Sequence, residues 1–239
     1  MDISYWNKLS PTVKFCNTTK QYFGKYLWRL VIYAEGGRLL ESNKKTLEEA
    51  LESRIAINKS YNYAGSWWNQ RNTNLDKVNL ELLRSVQQIK VNFGDKIRMR
   101  TEEPHIQFYA EDEAMLKSIA SMLENTACIE SINSPKNAEA ERLLMSGVII
   151  RRGPIDYKYK VIFRDGRYTS TIKQQVLSYL DNLGDEIKLS KTSRDMLTKT
   201  YASMWGVFFY TNDPKLVTFI NLIDPKLISN IHLIVNDTE

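Results

Sequence analysis

The chain has 239 residues, of which 43% are hydrophobic and 26% charged, as expected for a globular protein with an extensive core. No apolar run approaches the roughly 20 residues that cross a bilayer, and two cysteines and two histidines are too few for a disulfide framework or for the usual zinc sites. The formal net charge of +5, with a pI of about 9.0, favours anionic partners such as nucleic acid.

These features predict a protein of the reducing cytoplasm, or of the host cytoplasm if it is viral, with no membrane association and no cofactor. The first ten residues, MDISYWNKLS, lack the basic and apolar regions of a secretory signal. The abundance of Lys, Asn, Ile and Tyr suggests a bacteriophage origin.

The first part of the chain is predicted to form an arm, a hairpin and a helix. Residues 1–24 are polar and weakly periodic, and we expect them to be a leading arm. Residues 25–42 are rich in β-branched and aromatic side chains around Gly36-Gly37, which predicts two strands joined by a hairpin turn. Apolar residues then recur at intervals of three and four from Leu47, which predicts a helix.

A long helix is predicted next, from about residue 74 to residue 90, because its apolar residues form a single stripe. Two strands follow around the Glu-Glu-Pro turn at 102–104, and the second of them, at 105–110, runs up to Asp112. The Asp112 carboxylate is expected to accept hydrogen bonds from the first free N–H groups of the helix that begins there. A short strand and a helix that ends at Gly147 complete the first half.

The second half is predicted to start with a strand and a hairpin that turns at Asp165-Gly166. A helix with an apolar stripe then ends at Gly184, and a short strand and a short helix follow it. A strand leads to a second helix cap at Asp213, with Pro214 placed where a missing N–H has no cost. The last apolar stretch, ISNIHLIV, is predicted to be a strand that holds the C-terminus in place.

The two halves follow the same order of elements and share a sequence pattern. In each half an aromatic pair, Phe108-Tyr109 or Phe209-Tyr210, precedes a capping Asp by three residues. This predicts an α+β fold of two similar halves, each with antiparallel strands and packed helices, as in a duplicated ferredoxin-like unit. The predicted units are residues 25–146, which include a longer insert, and residues 147–239.

Basic residues on predicted strands are the strongest functional signal. In KIRMR and YKYKV the cations alternate with apolar or aromatic residues, so each strand has one charged face. Such a face could bind phosphates while neighbouring rings stack on unpaired bases. The alternative is an ordinary solvated face or a protected edge strand. The basic residues on and beside these strands are Arg98, Arg100, Arg151, Arg152, Lys158, Lys160, Arg164 and Arg167.

An aromatic stretch in the first half is the second functional signal. The sequence from Tyr61 to Arg71 combines Trp67 and Trp68 with amide side chains and the arginine, a set suited to base stacking or to anchoring a protein partner. The alternative is a loop that folds back over the core, because large aromatic side chains usually bury most of their surface.

Catalytic chemistry has little support in the sequence. The cysteines and histidines are scattered, and no phosphate-binding loop, dinucleotide fingerprint or zinc-protease motif is present. The acidic residues Glu102, Glu103, Glu111, Asp112 and Glu113 could hold a divalent metal, but a turn and a helix cap explain them more simply.

The sequence therefore favours a non-enzymatic accessory protein that binds nucleic acid, DNA or RNA, with single strands preferred. Proteins of a replication, transcription or assembly complex are further expected partners. Two alternatives stay open, namely a structural or assembly protein that binds protein partners, and a metal-dependent nuclease.

Overall fold

The structure of the protein is a computed structural model that describes residues 1–61, 75–200 and 203–237. The chain divides into two compact units, Met1–Glu141 and Arg142–Glu239. Each unit contains one five-stranded mixed sheet with packed helices, so the predicted α+β fold of two similar halves is confirmed. Among the helices of the described residues, none has the length and apolar character needed to cross a bilayer.

The first unit builds its sheet in the order β1-β5-β2-β4-β3. Strand β1 runs parallel to β5, and all other neighbours are antiparallel. The elements, in chain order, are α1 (Ile3–Leu9), β1 (Lys14–Asn17), β2 (Trp28–Tyr33), α2 (Leu47–Tyr61), α3 (Leu80–Phe93), β3 (Arg98–Glu102), β4 (His105–Ala110), α4 (Glu113–Ser121) and β5 (Ile129–Ser134).

One face of the first sheet forms the core of its unit. Leu30 and Ile32 of β2 and Phe108 of β4 have no exposed surface, and α4 packs on both strands. Burial of such side chains contributes about 1.5–3 kcal/mol each. The alternate residues of each strand point to the opposite side, which we call the outer face of the sheet.

The second unit repeats this arrangement in the order β6-β10-β7-β9-β8, with β6 parallel to β10 and the other neighbours antiparallel. Val161 of β7 and Phe209 of β9 lie fully buried in its core. The helix α5 (Ala138–Met145) spans the division between the units. The remaining elements are β6 (Ile149–Arg151), β7 (Tyr159–Phe163), α6 (Ser170–Asn182), β8 (Ile187–Leu189), α7 (Lys191–Thr198), β9 (Phe208–Thr211), α8 (Val217–Ile223) and β10 (Ile228–Asn236).

The two sheets have the same topology. If the last four strands of each unit are numbered 1 to 4 along the chain, their order in the sheet is 4-1-3-2, which is the ferredoxin-like split β-α-β pattern. The additional strand at the start of each unit, β1 or β6, lies at the edge beside strand 4. The helical connections differ, because α2 and α3 both lie between the first two of these four strands in the first unit. In the second unit α6 occupies that connection and α7 lies in the next one.

Both predicted strand-to-helix corners are confirmed. Asp112 Oδ1 accepts a hydrogen bond from Met115 N at 2.8 Å, at the start of α4. Asp213 Oδ1 accepts one from Lys215 N at 2.9 Å, at the start of a 3-10 turn that leads into α8. These bonds satisfy backbone donors that have no partner within the helix.

Both predicted hairpins are wrong. After β2 the chain enters a 3-10 helix, Gly37–Glu41, because β4 and β5 already occupy both edges of β2. Gly36 is required for close packing, since a Cβ there would lie 2.8 Å from Val78 Cγ2. In the second unit, Asp165 Oδ1 accepts a hydrogen bond from Gly206 N at 2.8 Å and Gly166 pairs with Met204, so this segment contacts the chain before β9.

Two boundaries also differ from the prediction. Residues 1–24, expected to be only a leading arm, contain α1 and contribute β1 to the first sheet. The long helix expected from residue 74 begins at Leu80, because the Asn79 side chain caps it by accepting a hydrogen bond from Leu82 N at 3.0 Å.

Candidate functional site

A row of two lysines, one tyrosine and one histidine crosses the outer face of the second sheet. Strand pairing places Lys188 of β8 opposite Tyr210 of β9, Tyr210 opposite Lys160 of β7, and Lys160 opposite His232 of β10. The four residues lie side by side across four neighbouring strands, about 4.8 Å apart from strand to strand. We call them the second row.

A second aromatic ring lies next to this row. Phe208 is two residues before Tyr210 and therefore lies on the same face, with the ring centroids 5.4 Å apart and nearly perpendicular. Both side chains are half-buried, whereas Phe209 between them lies fully in the core. The outer face thus presents two adjacent rings on β9, an interior strand of the sheet.

Two cations contact these rings. Lys160 Nζ lies 3.7 Å from the centroid of the Phe208 ring and 5.9 Å from that of Tyr210. Arg151 Cζ lies 5.7 Å from the Tyr210 centroid, and Arg151 Nη1 donates a hydrogen bond to the Tyr210 hydroxyl at 3.3 Å. Positive charge and aromatic surface are therefore joined in one patch, which suits a ligand with both negative charge and flat rings.

The first sheet contains an equivalent row, formed by the corresponding positions of its four corresponding strands. Arg98 of β3 lies opposite Tyr109 of β4, Tyr109 opposite Arg29 of β2, and Arg29 opposite Asn133 of β5. We call these four residues the first row. Each sheet thus places a tyrosine between two cations on its outer face.

The first row differs from the second because two aromatic residues of the same unit cover its tyrosine. The Tyr22 and Phe23 rings lie 5.1 Å and 4.9 Å from the Tyr109 ring, which is 4% exposed. Arg29 Cζ lies 5.4 Å from the Tyr22 centroid and Arg98 Cζ 4.4 Å from that of Phe23. Burial in this stack raises the pKa of Tyr22.

The predicted basic residues divide between the two units. Arg98 belongs to the first row, and Arg100 lies two residues along the same strand in an ion pair with Glu102 at 2.6 Å. The exposure of β3 alternates as predicted. Because β3 and β7 belong to different sheets, KIRMR and YKYKV do not form one sheet surface.

The remaining basic residues lie on or around the second sheet. Lys160 is in the second row and Arg151, at the end of β6, reaches Tyr210. The other four basic residues are exposed and lie outside the strands. The first follows β6 directly, the second directly precedes β7, and the last two are in the connection from β7 to α6. They are Arg152, Lys158, Arg164 and Arg167. Trp67, Trp68 and Arg71, predicted to form an aromatic site, lie outside the described residues.

The acidic residues considered for a metal site have separate partners. Glu102 bonds to Arg100 and to Gln107 Nε2, and Glu103 accepts from Arg38 N. Asp112 caps α4. Glu111 pairs with Lys25, and Glu113 accepts from Trp6 Nε1. Within residues 1–61, 75–200 and 203–237, no group of three or more His, Cys, Asp or Glu side chains could hold a metal ion.

The prediction from sequence missed several residues of these two separate faces, among them Arg29 on the first sheet and Lys188, Phe208 and Tyr210 on the second. The signal for the two aromatic residues was present, because a strand that ends Phe-Phe-Tyr-Thr must direct alternate side chains to opposite faces. No local signal identified Arg29, because the strand around it is apolar on both sides.

No protein-family model and no curated protein sequence matches this chain.

Proposed function

We propose that this protein binds single-stranded nucleic acid, DNA or RNA, through the outer face of its second sheet. The observation that supports this most is the pair of half-buried rings, Phe208 and Tyr210, on the interior strand β9 beside Lys160 and Arg151. Rings of this kind stack on bases, and the cations around them contact the phosphates.

Single strands fit this surface better than duplexes. Stacking requires a base whose flat face is free, and bases in a duplex are already stacked on one another. The cations and rings named above lie on or at the ends of sheet strands and not on a helix of the kind that enters a major groove. Recognition by ring stacking tolerates many sequences, so a weak sequence preference is expected.

The test is a fluorescence-anisotropy titration of the full chain with a labelled single-stranded oligonucleotide and with the matching duplex, over a salt series. We expect tighter binding of the single strand and an affinity that falls with salt by about 0.7 log units per phosphate contact for each tenfold increase. Equal or negligible binding of both at low salt contradicts the proposal. A protein partner is then the better hypothesis, because Phe219, Leu222, Ile231 and Leu233 are exposed apolar residues in this unit.

A further inference from the structure

Arg29 of the first row is held by neutral side chains. Its Nε and Nη2 groups donate to Asn133 Oδ1 at 3.0 and 2.9 Å, and Nη1 donates to Gln107 Oε1 at 3.3 Å. Both amides are buried, with 6% and 7% of their surface exposed, so their positions are fixed by the sheet. The guanidinium is therefore held in one orientation before any ligand arrives.

The charge of Arg29 has no counter-ion among the described residues. No described carboxylate forms an ion pair with it. Glu102 is linked to Arg29 only through Gln107, whose Nε2 donates to Glu102 Oε2 at 2.7 Å. By contrast, Arg100 on the same face is paired with Glu102. A partly buried cation is costly without an anion, and amides orient the group without neutralising it.

Two of the five guanidinium N–H groups are not used by the described residues, because three donate to Asn133 and Gln107. Arg29 Cζ lies over the Tyr22 ring, 5.4 Å from its centroid, a contact that uses none of these N–H groups. A rigid guanidinium with free N–H groups is well suited to a phosphate, whose oxygens accept from such a group in a fixed geometry.

We propose that Arg29 binds a phosphate group on the outer face of the first sheet. The phosphate can belong to a nucleic-acid strand, and in that respect the inference rests on the proposed function, or to a free nucleotide. Tyr22 and Phe23 give this site a flat aromatic wall, which suits a phosphate attached to a base more than inorganic phosphate.

The Nε–Hε signal of Arg29 in a ¹H–¹⁵N spectrum tests this site directly. The signal is identified as the one lost in Arg29→Lys, or by triple-resonance assignment if that variant does not fold. We expect saturable shifts with adenosine 5′-monophosphate and with a single-stranded oligonucleotide, and none with adenosine. Arg29→Lys should bind the monophosphate at least tenfold more weakly, whereas Arg84→Lys should bind it as the wild type does. Arg84 is the matched control because it is an arginine of the same unit, on α3, that is paired with Glu48 and Glu81.

The outcomes separate this inference from the proposed function. The phosphate site is overturned if the Arg29 signal does not shift with any phosphate-bearing ligand. It is also overturned if adenosine shifts the signal as much as the monophosphate does. An oligonucleotide that binds in the anisotropy assay but leaves Arg29 unmoved overturns it too, while the second-sheet proposal stands. If no oligonucleotide binds but the monophosphate shifts Arg29 saturably, the proposed function fails and the phosphate site is supported as a nucleotide site.

Discussion

Tyr109 and Tyr210 occupy the same position in two sheets of the same topology, yet only Tyr210 keeps part of its ring exposed. Each lies between two cations on neighbouring strands of the outer face. Tyr22 and Phe23 cover Tyr109, whereas Tyr210 is bordered by Phe208 and Arg151. The tyrosine of the first row is therefore covered by residues of its own unit, whereas the ring of the second-row tyrosine is available for stacking.

Substitution of the two tyrosines should separate binding from folding. Tyr210→Ala should weaken single-strand binding by about 1–3 kcal/mol, the usual contribution of a stacked base. Tyr109→Ala should instead reduce the free energy of unfolding, by about 3 kcal/mol, because the ring is fully packed. Oligonucleotide titration and urea denaturation of both variants measure the two effects. An unchanged affinity in a folded Tyr210→Ala protein would remove the second row from the binding surface.

Lys160→Ala should reduce the salt dependence of oligonucleotide binding by about one unit of slope, because one phosphate contact is lost. The effect should be similar for all base sequences, since a phosphate contact carries no sequence information. Lys191→Ala is the matched control, because Lys191 is exposed on α7, which packs against α6 on the core side of the sheet. The hypothesis fails if both lysine variants have the same slope as the wild type.

Loss of either helix cap should lower stability without a direct effect on binding. Asp112→Ala and Asp213→Ala should each cost about 0.5–2 kcal/mol, because each leaves a backbone N–H at a helix start without its acceptor. Urea midpoints provide the measurement, with Asp185→Ala, an exposed residue without a capping bond in the described structure, as control. Midpoints equal to that of the control would show that the caps contribute little.

The local parts of the fold could be predicted from sequence. Asp112 and Asp213 follow strands and precede apolar residues at helical spacing, so each corner is specified within about ten residues. The repetition of this corner was enough to predict two similar halves. The pairing of strands far apart in the chain is not specified by any local pattern. For that reason Gly36-Gly37 suggested a hairpin turn, whereas in the structure a side chain at position 36 is disfavoured by close packing against Val78.

The candidate site could be predicted only where polarity alternates along an exposed strand. Arg98 and Arg100 lie on the edge strand β3 and were found in this way. Arg29 lies on β2, a strand with neighbours on both sides and apolar residues on both faces, so its sequence has no such alternation. The cover that Tyr22 places over Tyr109 depends on a contact between residues far apart in the chain, which no short pattern contains.

Lys173 should make stability depend on pH in the alkaline range. Its side chain is 1% exposed, its Nζ donates to Lys199 O at 2.8 Å, and burial lowers its pKa. Since the unfolded chain binds this proton more tightly than the folded one, the free energy of unfolding should rise as pH increases from the lowered pKa to about 10.4, the ordinary value for lysine.

Urea denaturation between pH 7 and 10.5 measures this contribution as the difference between wild type and Lys173→Met. The wild type should gain stability relative to the variant as pH rises, and the exposed control Lys191→Met should show no such divergence from the wild type. Parallel curves for wild type and Lys173→Met would mean that the folded state does not lower the pKa of this lysine.

The two cysteines should react at very different rates with a thiol reagent. Burial raises the pKa of Cys128 to about 11, whereas Cys16 is exposed on β1. At pH 8 a thiol with a pKa near 11 is only about one thousandth thiolate, and Cys16 is the more exposed of the two. We expect one fast and one slow thiol with Ellman's reagent. Cys16→Ser should abolish the fast phase and Cys128→Ser should leave it unchanged.

The fast thiol also reports on the first row, because Cys16 lies directly opposite Asn133, the residue that holds Arg29. A phosphate-bearing ligand at Arg29 should slow the reaction of Cys16, by exclusion of the reagent and by added negative charge near the sulfur. The protection should follow the same saturation curve as binding and should weaken in Arg29→Lys but not in the control Arg84→Lys. If a saturating oligonucleotide leaves the Cys16 rate unchanged, the strand does not reach this part of the first sheet.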